Sequence, residues 1–157
     1  STRRVVHPDV IGVNNPMGTL SKKGFLASSS FIAFIDRAHP QHDQAEAFFR
    51  YFAQEQYALF TDSLTIYEAH QKIYVQISPG LSRDFLRTIF FSNINILYPQ
   101  EAEMKAALKI LLSYSSVDLT LEKALMAILA SRQEISHICT FDYLHNLFGL
   151  TTFYLPI

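Results

Sequence analysis

From residue 25 onward, short apolar runs alternate with longer segments of helical period, and no other feature narrows the fold of this chain as far. Residues 25–27 (Phe-Leu-Ala), 57–61 (Tyr-Ala-Leu-Phe-Thr), 94–98, 137–141 and 151–155 read as strands. Between them lie helical segments at 28–36, 42–56, 63–77, 82–91 and 101–114, with another after 120. The segment at 42–56 carries Ala45, Phe48, Phe49 and Phe52 on one face. The next-to-last carries Met104, Ala107, Leu108 and Leu111, and the last Leu121, Ala124, Leu125, Ile128 and Leu129. His39-Pro40 breaks a helix, because the residue before proline is pushed out of the helical region. Pro79-Gly80 reads as a second break, with Ser82 opening the helix beyond it. Asp62 or Ser63, and Thr120 or Asp118, are candidate helix caps. Strands separated by helices imply parallel pairing through right-handed crossovers. The expected fold is therefore α/β, a three-layer α/β/α sandwich on a central parallel sheet of four to five strands.

Residues 1–24 differ from the rest. They hold two of the six prolines and no sustained periodicity, so they read as a loose arm or leader before a domain at 25–157. Met17-Gly18 is a candidate native start, and residues 1–16 are not expected to join the fold. The chain has 157 residues, 49% of them apolar and 17% charged, enough to bury one proper core. No stretch approaches the roughly 18 apolar residues of a membrane span. Arg3 and Arg4 lack a following apolar region, which argues against a secretory signal. A single cysteine, Cys139, excludes an internal disulfide and suits a reducing cytoplasm. A net charge of −1 argues against coating nucleic acid through bulk charge, and leaves room for a few local phosphate contacts.

In open α/β sheets the functional crevice lies beyond the carboxyl ends of the strands. Ala27 and Asp142 fall at or beyond two such ends, and Glu68 and Glu122 near the starts of helices that lean over the same edge. Carboxylates converging from separate elements repel one another unless a cation lies between them. Oxygen ligands of this kind favour Mg²⁺ or Mn²⁺ over zinc. Singly, each acid has an ordinary explanation: a solvated helix residue for Glu68 or Glu122, a helix cap for Asp142. Their joint placement is what points to a site.

In these residues the chain resembles the PIN-domain ribonucleases, especially the small VapC-type toxins. The opening strand, hydroxyls and short helix appear as Leu26-Ala27-Ser28-Ser29-Ser30-Phe31-Ile32-Ala33-Phe34-Ile35-Asp36. A His-rich turn follows at His39-Pro40-Gln41-His42. Glu68 matches the family's second acid, Glu122 the third, in Leu119-Thr120-Leu121-Glu122-Lys123-Ala124, and Asp142 the fourth, in Thr140-Phe141-Asp142. Phe148-Gly149 and Leu155-Pro156 match its ending. The resemblance covers residues 25–157 and rests on the order and spacing of motifs rather than on any one of them. It implies a Mg²⁺- or Mn²⁺-dependent endoribonuclease, a toxin held by an antitoxin protein, and a homodimer. Glu68, Glu122 and Asp142 would be the catalytic metal ligands.

Two departures stand out. Glu122 takes the place of an aspartate, one methylene longer, and Ala27 takes the place of the first aspartate, offering no ligand at all. Asp36 lies at the far end of the helix, too far to substitute. Ala27 is open to three readings: an engineered substitution that silences a toxic nuclease, a naturally non-catalytic PIN-like module that binds RNA or protein, or a weakly active enzyme using the remaining acids. A small-molecule α/β enzyme is disfavoured by the lack of a Gly-rich phosphate loop.

Further candidates for RNA contact are Ser28, Ser29, Lys72, Arg83, Arg87 and Thr140. Each has a plainer reading beside it. Lys72 sits four residues after Glu68 and can pair with it. Arg83 and Arg87 can be a solvated face, and Thr140 a packing residue. The six histidines lack cysteine partners and are expected to be structural or exposed. Cys139 reads as a small core residue. Phe48, Phe49, Tyr51 and Phe52, with Phe90 and Phe91, exceed what one helix face can bury and are candidate dimer or antitoxin surface.

Overall fold

The computed structural model describes residues 22–114, 118–142 and 150–153. The arm before residue 22, with Met17-Gly18, lies outside them, as do His145, Phe148-Gly149 and Leu155-Pro156.

Strand β1 (Lys23–Leu26) leads into helix α1 (Ser28–Ile35), and α2 (His42–Gln54) returns to β2 (Ala58–Asp62). Helices α3 (Ser63–Gln76) and α4 (Pro79–Phe90) precede β3 (Asn95–Leu97). Helices α5 (Glu101–Ser113) and α6 (Leu121–Arg132) precede β4 (His137–Cys139) and β5 (Thr151–Thr152). All pairings are parallel, in the order β3-β2-β1-β4-β5. The expected α/β sandwich is thus the fold, with five strands. β1 starts two residues earlier than the sequence suggests, and Ala27 leaves the strand to stand at the N-cap of α1.

Alternation along the central strands divides the core. Phe25 and Ile138 face one layer, where Ala107 of α5 meets Ala124, Leu125 and Leu129 of α6. Leu26 and Cys139 face the other, with Phe31, Phe48, Phe52, Ile73 and Phe85 from α1 to α4. Burial pushes the Cys139 thiol up to about 12, so it is a core residue, as its strand position suggests.

Two details of the fold correct the sequence reading. Pro79-Gly80 does not separate α4 from its start. Pro79 is the first helical residue, where a missing N–H costs nothing, and the Ser78 hydroxyl accepts the Leu81 N–H at 3.0 Å. Phe48 and Phe52 are not surface: they are 2% and 1% exposed, and Phe49 and Tyr51 pack beside them. The excess rings are absorbed by one another and by neighbouring elements, Phe48 stacking on Phe141 and Phe52 meeting Tyr57 and Phe153. Phe90 and Phe91, by contrast, are each 80% exposed.

Candidate functional site at the carboxyl edge of the sheet

The strand order reverses direction at β1 and β4. Connections from β1 run outward through β2 to β3, whereas β4 and β5 lie on its other side. The crevice beyond these two strands is the topological switch point, where an open α/β sheet exposes loop ends and helix starts together. Ala27 stands there, its N–H donating to the Cys139 carbonyl at 3.0 Å and so extending the β1–β4 pairing by one residue.

Ala27 has no side chain to cap α1. Glu122, the second residue of α6, caps it from across the crevice. The Ser28 N–H donates to Glu122 Oε2 at 3.0 Å, and the Ser28 hydroxyl to Oε1 at 2.9 Å. Ser28 is 1% exposed and Glu122 9%. Burial pushes the Glu122 carboxyl above its ordinary range. The two Ser28 bonds and the Lys72 ammonium pull it back, and the neighbouring Asp62 carboxylate pushes it further up.

Asp62 is the group that sequence reasoning took only as a cap. It is that, and more. It is fully buried at the carboxyl end of β2, accepting the Thr65 N–H at 2.8 Å and the Thr65 hydroxyl at 2.9 Å. Burial raises its carboxyl, and the Thr65 and Leu64 bonds oppose the rise. Because β2 runs parallel to β1 and beside it, Asp62 puts a second buried acid at the same carboxyl edge of the sheet. An aspartate ending an apolar strand was the available signal.

A second stitch binds α1 to the turn after β4. The Ser29 and Thr140 hydroxyls lie 3.0 Å apart, Ser29 Oγ accepts the Phe141 N–H at 2.9 Å, and Thr140 Oγ1 accepts the Asp142 N–H at 3.1 Å. Ser28, Ser29 and Thr140 were candidate RNA contacts. Ser28 and Thr140 are buried, and all three are spent on holding the crevice together, because hydroxyls at helix starts and strand ends satisfy nearby backbone donors first.

Of the remaining candidates, Glu68 is half-buried on α3 and Asp142 is exposed in the turn after β4. Neither side chain has a hydrogen-bond or ion-pair partner among the described residues. Lys72 does not pair with Glu68; its charge acts on Glu122 instead. Arg83 and Arg87 are exposed on α4, and Arg87 donates to Asp84 at 2.7 Å, as a solvated face would. His42, exposed Asp43 and Glu46 are, among the described residues, the one group of three such side chains whose ligand atoms all lie within 4.8 Å. They sit on the first turns of α2, with His42 Nδ1 2.9 Å from the Ala33 carbonyl oxygen. An apolar pocket of about 460 Å³, lined by residues including Phe31, Phe34, Phe49, Tyr57 and Ile94, includes none of the candidate acids.

The residues at the crevice do not fit a directly held divalent ion. Ala27 offers no donor, and each Glu122 oxygen is already turned toward Ser28, with one of its lone pairs taken by a Ser28 bond. The oxygens of Glu68, Glu122 and Asp142 do not all lie within 4.8 Å of one another, wider than one Mg²⁺ shell with ligands at about 2.1 Å allows.

No family model matches the sequence, and no curated protein matches it. Solved structures do. VapC20 from Mycobacterium tuberculosis, a sarcin-ricin loop cleaving toxin, aligns at a TM-score of 0.68 with 13% identity, over 76% of this chain and 89% of that one. VapBC2 from Rickettsia felis, solved bound to a DNA fragment from its promoter, aligns at 0.58 with 14% identity, over 76% and 88%. FitAcB from Neisseria gonorrhoeae aligns at 0.59 with 13% identity, over 83% and 96%. The chain has a VapC-like PIN fold. No helix among the described residues is long and apolar enough to cross a membrane.

Proposed function

We propose that this chain is a toxin-type endoribonuclease scaffold of the PIN class whose cleavage of RNA is switched off or strongly weakened at Ala27. The observation that carries this reading is the convergence at one crevice of a helix start without its own carboxylate, a buried glutamate from α6 and the Thr140–Asp142 turn. The likeness in fold to a toxin that cleaves the sarcin-ricin loop supports RNA as the substrate class. A carboxylate at position 27 would add a fourth acid to Glu68, Glu122 and Asp142, four oxygen donors of the kind Mg²⁺ or Mn²⁺ takes, which the ion would have to draw together. Such an ion, when bound, supplies a polarised water for attack on a phosphodiester. In the chain as it stands, Glu122 holds α1 in place, Ser29 and Thr140 fix the turn that carries Asp142, and Lys72 and Arg83 offer positive charge to a phosphate backbone. The partners that go with this reading are a second copy of the chain and an antitoxin protein, for which exposed Leu86, Phe90, Phe91 and Tyr98 supply apolar surface. The free thiol of Cys139 fits a cytoplasmic setting.

The test compares this chain with Ala27→Asp on a structured RNA in Mg²⁺ or Mn²⁺. Cleavage should rise by about 100-fold or more in the variant, the scale expected when a metal-ligating carboxylate is supplied. The Ser28–Glu122 contact favours a second reading, a non-catalytic module that binds RNA or protein through an already completed crevice. Failure of Ala27→Asp to cut any RNA that the chain binds would select it.

A further inference from the structure

We infer that Ala27 and Glu122 are a matched pair: Glu122 is a positioning residue that anchors the start of α1 through Ser28, and the crevice is thereby complete without a divalent ion. This rests on the PIN-type reading above and concerns the same crevice. The geometry is specific. Ser28 N–H is the first donor of α1, one of the four that a helix start leaves without intrahelical partners. Residue 27, at the N-cap, carries only a methyl, and the buried Ser28 donor cannot turn to water. Glu122 reaches it from α6, and its second oxygen takes the Ser28 hydroxyl. Opposite charge comes from Lys72, which acts on Glu122 from α3. The two Ser28 donors thus hold the buried carboxylate, with the Lys72 charge adding a smaller pull from a distance.

Adding a second carboxylate undoes this balance. In the Ala27→Asp chain the new side chain would stand at the N-cap beside Glu122, with Asp62 also near, and buried like charges are costly without a cation between them. The parent chain should therefore be indifferent to divalent ions, and the Ala27→Asp chain dependent on them.

Thermal unfolding of both chains in EDTA and in millimolar Mn²⁺ reads this directly. The parent melting temperature should be the same in both. That of Ala27→Asp should fall in EDTA by on the order of 5 °C, and recover in Mn²⁺. Glu122→Gln removes the charge but keeps an acceptor for Ser28, so in the double variant Ala27→Asp/Glu122→Gln the EDTA penalty should shrink to nearly nothing. A variant that folds only in Mn²⁺ supports the inference, and one that folds in neither condition overturns it. So does a parent chain stabilised by Mn²⁺ through an effect that Glu122→Gln abolishes, because Glu122 would then be a metal ligand. The readout is independent of cleavage: if Ala27→Asp shows the Mn²⁺-dependent melting but cuts no RNA, the matched pair stands and the nuclease reading falls.

Discussion

Adjacent parallel strands β1 and β2 both end at the same crevice and both hand over directly to a helix, yet the two helices are started by opposite means. At the end of β2, Asp62 caps α3 itself, accepting the Thr65 N–H three residues on. At the end of β1, Ala27 can cap nothing, and α1 is held by Glu122 from 94 residues away. The local cap fixes one helix end only. The distant one ties α1 to α6 and so closes the crevice between two layers of the sandwich. With no carboxylate at its own N-cap, α1 is clamped by the carboxylate of a neighbouring helix.

That contrast can be broken most severely at the two carboxylates. Glu122→Ala leaves the Ser28 N–H and hydroxyl buried without an acceptor, and should cost about 2–3 kcal/mol of unfolding free energy in urea. Asp62→Ala likewise strips the buried Thr65 N–H and hydroxyl of their acceptor, and should cost a similar amount, about 2–3 kcal/mol. If the Glu122 variant proves far less damaging than the Asp62 one, the distant clamp does not hold α1 as a cap would. Asp62→Asn keeps the bond to the Thr65 N–H and sheds a buried charge, so its stability should move by less than about 1 kcal/mol. A loss as large as that of Asp62→Ala would show that the negative charge itself is required there.

The smallest effect concerns pH. Burial lowers the His137 imidazole below its ordinary range. The unfolded chain therefore takes up a proton before the folded one does. The stability due to His137 is complete above its unfolded value near 6.5 and is lost as pH falls through the lower folded value. His137→Asn should flatten the fall in melting temperature on that side, and an unchanged slope would assign the acid sensitivity elsewhere.

What the sequence made legible follows the same division between local and distant. The order of elements, the parallel sheet and the cap at Asp62 or Thr120 depend on short patterns, and all are present in the fold. Pro79 read as a break because proline stops a helix and also starts one, and only the Ser78 hydroxyl bond decides between them. The turns that launch β2 and β4 left no glycine signal. Gln56 and Glu134 adopt left-handed φ of 57° and 58°, while Tyr57 and Ile135 bond back to Phe52 and Ala130. Phe48 and Phe52 looked like surplus until neighbouring elements were folded over them. The acids Glu68, Glu122 and Asp142 were legible as residues. That Glu122 would be engaged by Ser28 was not, because a contact across 94 positions leaves no local trace.

The most direct measurement is anomalous diffraction at the manganese edge from crystals of the parent chain and of Ala27→Asp, both grown with Mn²⁺. A crevice completed by Ser28 and Glu122 gives no manganese peak there in the parent and one peak in the variant, between position 27 and Glu122. A peak in the parent held by Glu122, or none in the variant, would contradict it.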